Sequence, residues 1–302
     1  MTGFARTMIV ANKGENTASF IEMETGKEWS RQATGPSPHE VSVSPNGKLA
    51  AIAAYGGSTV DLFDTRTAKR IKTIDISPGK APHGIAWVSD QVLLLAAEKS
   101  RSLVVVNVDK GTVQPVALDQ AGSHMVVLSP DYRTAYVSNV AAGTVSVVDL
   151  RAMKKLSDIQ VGGNPEGLAL TRDGKELWVG DNSAPHVRVV DLASGKTVAV
   201  LPSDPVPIRV AMSRNGKMAI SSNIGAGTIS LYSVTQRQLL RTIPVSGATD
   251  AIQVTAIFAD SDDRVLVAET GRNTVAEVQL DNGKVLRRFE VGKGGDGVAI
   301  VP

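Results

Sequence analysis

The feature that most constrains this chain is a repeat that runs its whole length. Each copy begins with Pro-x-x-apolar-small-apolar, followed by a polar turn and a second strand-like run. A loop, a third run ending near Asp, and a fourth run complete it. The clearest copies of the first run and its turn start at Pro38 (PHEVSVSPNGK), Pro165 (PEGLALTRDGK) and Pro207 (PIRVAMSRNGK). Asn46-Gly47, Asp173-Gly174 and Asn215-Gly216 between alternating apolar residues predict tight hairpins, because both residue types tolerate positive φ. The turn is shortened around Ser89-Asp90 and reads Ser129-Pro130-Asp131 in the next copy. The third run is as regular, in Thr59–Asp64, Thr144–Asp149 and Val187–Asp191. Val, Ile and Thr dominate, and no window holds a helical period.

Aligned on the residue after the leading Pro or its equivalent, the copies fall at 39, 83, 124, 166, 208, 253 and 296, in steps of 44, 41, 42, 42, 45 and 43. A four-stranded unit repeated at that spacing predicts an all-β, seven-bladed β-propeller with four antiparallel strands per blade, in which residues 1–302 form a single domain. The chain opens on a second strand (Thr7–Ala11) and closes on a seventh first strand (Asp296–Pro302). Placing the latter beside the N-terminal strands completes blade one and leaves no open sheet edge at the seam.

The repeat resembles the YVTN β-propellers, the surface-layer and YncE-like proteins. Ala135-Tyr136-Val137-Ser138-Asn139 is its best copy of the name motif and Leu177-Trp178-Val179-Gly180-Asp181-Asn182 a weaker one. The resemblance covers the full chain. It implies the fold and leaves the function open, since relatives of this kind include binding proteins and proteins of unknown role. The Trp-Asp dipeptide of the other large propeller family is absent, and aromatic residues are 4% of the chain.

Composition narrows the function by exclusion. A formal net charge of +2 with no dense Lys/Arg run gives no reason to expect nucleic acid as a partner. No apolar stretch approaches the ~18 residues of a membrane span. Met1–Arg6 lacks the basic-then-apolar profile of an export signal, so a natural start at Met1 implies the cytoplasm. A trimmed start leaves a periplasmic location open. With no cysteine in the chain, disulfides, thiolate metal sites and a cysteine nucleophile are ruled out. Gly-x-Ser-x-Gly, a Gly-Lys-Ser/Thr phosphate loop and His-Glu-x-x-His are also missing. Asp260-Ser261-Asp262-Asp263 lacks EF-hand spacing and reads as a hairpin turn.

In a propeller the first strands line the central channel, so the seven aligned positions converge around one axis. In ring order they are His39, His83, His124, Glu166, Ile208, Gln253 and Asp296. Three of the chain's four histidines therefore share one repeat position in consecutive blades; the fourth, His186, is expected exposed in a loop. Three imidazoles around an axis are a common donor set for a divalent transition metal (zinc, iron, copper or nickel), with Glu166 as further ligand or general base. The competing reading is a wet channel mouth whose polar residues only hydrogen-bond. Loops between second and third strands add Asn12, Tyr55, Glu98, Asn139, Asp181, Asn223 and Glu269 on the same face, the asparagines as turn formers. Arg209, following Ile208, reads first as a packing or surface salt-bridge residue, with an anionic group as the alternative partner.

These residues give two main expectations. One is a metal-dependent enzyme acting on a small organic substrate at the mouth, as a hydrolase of esters or lactones or as a lyase or isomerase. In it His39, His83 and His124 bind metal, Glu166, Glu98 and Asp296 take catalytic roles, and Tyr55, Asn139, Asp181, Arg209, Gln253 and Glu269 contact substrate. The other is a non-catalytic scaffold for a ligand or a protein partner. A structural propeller with a solvent-filled channel is a third reading.

Overall fold

A computed structural model describes residues 6–301. Residues 1–5, read above for an export signal, and Pro302 lie outside the described residues. Twenty-eight strands form seven four-stranded antiparallel sheets, one per blade. Three short 3-10 turns, Glu98–Ser100, Thr249–Ala251 and Thr270–Arg272, are the helical elements among the described residues. Blade one is composite: Gly295–Val301 pairs antiparallel with Thr7–Asn12, with Thr17–Glu22 and Glu28–Ala33 outside it. The six other blades run in chain order from their innermost strands, which are Pro38–Val43, Pro82–Ser89, Ser123–Leu128, Pro165–Leu170, Pro207–Met212 and Gln253–Phe258.

The apolar core is divided among the blade interfaces. One cluster packs blades two and three through Leu62, Ile76, Leu93 and Val104; another joins blades one and seven through Met8, Ile21, Leu266 and Phe289. Second strands are covered on both faces by neighbouring blades, so Leu93-Leu94-Leu95-Ala96-Ala97 is apolar without alternation and fully buried. Fourth strands alternate, and show Ile71, Leu156, Val200 and Leu240 to solvent.

The Asn-Gly and Asp-Gly turns differ from the tight hairpins expected. Residues 44–48 form a longer loop in which only Gly47 has positive φ, at +72°, as do Gly174 and Gly216 in the equivalent loops. Asn46 acts through its side chain, whose Oδ1 accepts from the Ser44 hydroxyl and from Lys48 N–H. A local side-chain bond thus replaces the second left-handed residue of a two-residue turn.

Every innermost strand is irregular where it matters. The pairing register shifts between Pro38 and Val41, Pro82 and Ile85, Ser123 and Val126, Pro165 and Leu168, and Pro207 and Arg209. Such bulges re-aim side chains, and these release His39, His83, His124, Glu166 and Arg209 from strict in-and-out alternation.

Candidate functional site

The mouth of the channel carries a stack of aromatic rings. Tyr55 lies 4.5 Å from His39, His39 5.0 Å from His83, and His83 3.7 Å from His124, centroid to centroid. His39 is half-buried, and its Nδ1 lies 2.9 Å from the Ser37 carbonyl oxygen. A carbonyl only accepts, so Nδ1 carries the proton and Nε2 keeps its lone pair in the neutral ring. Burial lowers the His39 pKa below its ordinary value. His83 is 3% exposed. Burial, and then the charge of His124, push it well below the usual histidine range; its Nδ1 is buried without a partner.

His124 behaves in the opposite way. Burial opposes its charge, but Glu166 and Glu98 outweigh burial and raise its pKa. Its Nδ1 sits 2.9 Å from Glu98 Oε2 and its Nε2 3.2 Å from Glu166 Oε1. Glu166 is itself crowded with donors: Arg209 Nη1 reaches Oε1 at 2.6 Å and Asn182 Nδ2 meets Oε2. Desolvation would raise the Glu166 pKa, yet the His124 bond and the Arg209 charge pull it down to about 2. Across from it, Arg209 Nη2 donates to Glu40 Oε1 at 2.8 Å. Burial raises the pKa of Glu40, with Arg209 opposing. On the far side, Asp296 Oδ2 accepts from Lys13 Nζ at 2.9 Å while its Oδ1 is buried and unpartnered.

Several expected site residues lie elsewhere. Asn139 is fully buried inside blade four, its Nδ2 donating to Thr144 Oγ1 and Ser146 Oγ at 3.0 and 2.9 Å. Asn12 and Asn223 repeat that clasp on Thr17 and Ser19 and on Thr228 and Ser230. These asparagines therefore tie second to third strands rather than form turns. Asp181 bonds Arg188, Ser183 and the Asn164 N–H, and Glu269 bonds Arg288 and Thr274, both within their blades. Gln253 is fully buried and turned toward Thr228 O and Ser222. His186 is half-buried rather than exposed, its Nε2 3.3 Å from Asp181. The residue sequence reasoning passed over is Glu40. The signal was present one position along each copy, where Gly297, Gly84 and Gly167 alternate with Glu40, Met125 and Arg209.

The donors do not fit a three-histidine metal centre as arranged. His124 has both nitrogens engaged by carboxylates, and its ring stacks on His83 instead of turning a nitrogen beside it. Among the described residues, no group of three His, Asp or Glu side chains is placed to hold a metal ion. Glu166, held ionised near pKa 2, is a counterion and too weak a base for neutral pH.

Fold and site together define a seven-bladed propeller whose first strands begin in a polar, histidine-bearing and largely buried cluster. The chain belongs to the seven-bladed propeller family whose model is described as "Lactonase, 7-bladed beta-propeller", which matches residues 6–207. That segment carries all three stacked histidines, Glu40, Glu98 and Glu166, and stops just short of Arg209. The narrower surface-layer likeness rests on the repeat motif alone. No curated protein matches the chain. Among solved structures, it is similar to a functionally unknown protein from Desulfotomaculum acetoxidans (TM-score 0.80, 12% identity, 97% of this chain and 98% of that one). It is also similar to hydrazine synthase from Kuenenia stuttgartiensis (TM-score 0.76, 18% identity, 85% and 87%). A third is the dihydro-heme d1 dehydrogenase NirN in complex with DHE (TM-score 0.70, 14% identity, 97% and 74%). At these identities the likeness is one of fold. No helix among the described residues is long and apolar enough to cross a membrane.

Proposed function

We propose that this protein hydrolyses a small lactone at the channel mouth, with His39 as general base. The observation that carries the reading is the state of His39: Nδ1 tied to a backbone carbonyl, Nε2 free, and the ring neutral at physiological pH. The family description supports the substrate class. In the step, Nε2 removes a proton from water as its oxygen attacks the lactone carbonyl carbon. The tetrahedral intermediate collapses with cleavage of the ring C–O bond, and the imidazolium returns the proton to the departing alkoxide. The product is a hydroxy acid, and no other reactant is needed. Beyond burial, the charges of Lys13 and Arg209 discourage protonation of His39, as the charge of His124 does for His83.

The sign of the pH dependence follows. His39 must be unprotonated, and its pKa is lowered, so kcat/KM on a γ- or δ-lactone panel should rise with pH through a midpoint below ~6.5 and then level off. His39→Gln should remove that limb and lower kcat by about 100-fold or more. Lactone turnover with an unchanged profile in His39→Gln would sink the assignment. Metal content measured by elemental mass spectrometry tests the alternative: about one equivalent, lost when His39, His83 and His124 all become Ala, would restore the metalloenzyme reading. Ligand binding by the same residues with no turnover on any lactone would favour a binding scaffold, for which the stacked rings supply a platform for a planar ligand.

A further inference from the structure

Five charged side chains form one alternating line through the mouth. Glu40, Arg209, Glu166, His124 and Glu98 follow each other at hydrogen-bond distance, and they come from blades two, six, five, four and three. Blades two and six are not neighbours in the ring, so the Arg209–Glu40 pair lies across the channel rather than along its wall. Both residues are buried, at 6% and 7% exposure.

The space for this crossing comes from the innermost strands. A Cβ on Gly167 would stand 2.6 Å from Arg209 Cα, one on Gly84 2.6 Å from Met125 Cα, and one on Gly297 2.8 Å from Glu40 Cα. Glycine in blades one, three and five lets adjacent backbones close up, while Glu40, Met125 and Arg209 occupy the same repeat position between them. Met125 shows that an apolar side chain fills that position. Packing alone therefore does not call for a buried ion pair, which is weak evidence for stability in any protein.

We infer that Arg209, anchored across the channel by Glu40, is a positioning residue that holds the Glu166 carboxylate against His124. Glu166 Oε1 is the shared atom, accepting from Arg209 Nη1 at 2.6 Å and meeting His124 Nε2 at 3.2 Å. Asn182 fixes the other oxygen. The groups facing His124 are Glu98 from blade three, Glu166 from blade five, the stacked His83, and the Arg209 guanidinium beyond Glu166, with Glu40 further off.

The test reads the His124 side-chain N–H protons by NMR in the folded full chain at mildly acidic pH, with thermal unfolding followed in parallel. The native protein should show two low-field signals for His124, one per carboxylate. Arg209→Met should shift upfield or abolish the Nε2–H signal while the Nδ1–H signal to Glu98 persists, and Arg209→Lys should restore it. A folded Arg209→Met protein with both signals unchanged would overturn the inference and leave Arg209 as channel filler. If Arg209→Met does not fold, Glu40→Ala decides: a weakened Nε2–H signal supports the strut, and an unchanged one refutes it. Lactone turnover is not read, so this outcome is independent of the hydrolase assignment.

Discussion

Two groups of polar side chains face the same end of this propeller, and they have opposite characters. At the ends of three second strands sit neutral clasps, with Asn12, Asn139 and Asn223 each bonding a Thr and a Ser of the next strand. Each clasp is closed within its own blade and repeats. The ring at the starts of the first strands is charged, joins different blades, and repeats nowhere: His124–Glu166–Arg209–Glu40, with Glu98 reaching in from the end of a second strand. The first group can be cut from its neighbours without electrostatic consequence. The second cannot, because each charge is buried on the terms set by the next. A polar group satisfied inside one repeat serves the fold, whereas one whose partner lies in another repeat records something the fold alone did not require.

Mutations can break or sharpen that contrast. The largest effect should come from removing the strand Gly295–Val301, which opens blade one, uncovers Met8 and Val10, and detaches Asp296. Uncovering several side chains at about 1.5–3 kcal/mol each rivals the whole net stability of a domain. Loss of cooperative thermal unfolding is expected; a truncated chain melting as the full one does would show that the seam contributes little.

Next comes Glu166→Gln, which leaves Arg209 and His124 facing a neutral group and should destabilise by about 3–5 kcal/mol. It should also reshape the acid limb. Glu166 has a folded pKa of about 2 against an ordinary 4.5, so its contribution is fully present above ~4.5 and is lost as pH falls toward 2. Denaturant melts between those limits should be less pH-dependent in the variant than in the native protein. An equal slope in both would mean that the carboxylate is not held as described.

Asn139→Ala should have the smallest effect. Losing three neutral bonds, to Thr144, Ser146 and Ser123, should lower stability by about 1–3 kcal/mol at every pH, with no change in the His124 signals. If Asn139→Ala disturbed the mouth as strongly as Glu166→Gln, the two groups would not be separate systems.

The sequence made the architecture legible because a propeller writes its period into every blade: the leading Pro, the Gly of the turn and the Asp of the third strand recur at fixed intervals. Composite closure was equally readable from Asp296 onward. The site was legible only as a set of positions. Alignment brought His39, His83, His124, Glu166 and Asp296 to the mouth, but the direction of each ring depends on bulges that a period does not specify. Stacking of His83 on His124 is one such direction that the repeat position alone does not give. Gln253 shares the repeat position of the histidines and still turns away toward blade six, since Thr228 O offers a bond at 2.6 Å there. Glu269 and Asp181 turn away from the mouth for the same kind of reason: Arg288 and Arg188, on other strands of their own blades, claim them first.

The Lys13–Asp296 bond has a further consequence. It joins a loop of the first described strand pair to the strand that completes the ring, and it does so beside His39. Occupancy of the mouth and integrity of the seam are thereby thermodynamically linked. A compound that binds against the Lys13–Asp296 pair favours the closed ring over any form in which that strand has frayed. It should announce itself as a higher melting temperature whether or not it is ever turned over. The seam thus acts as a built-in reporter for whatever the mouth accepts.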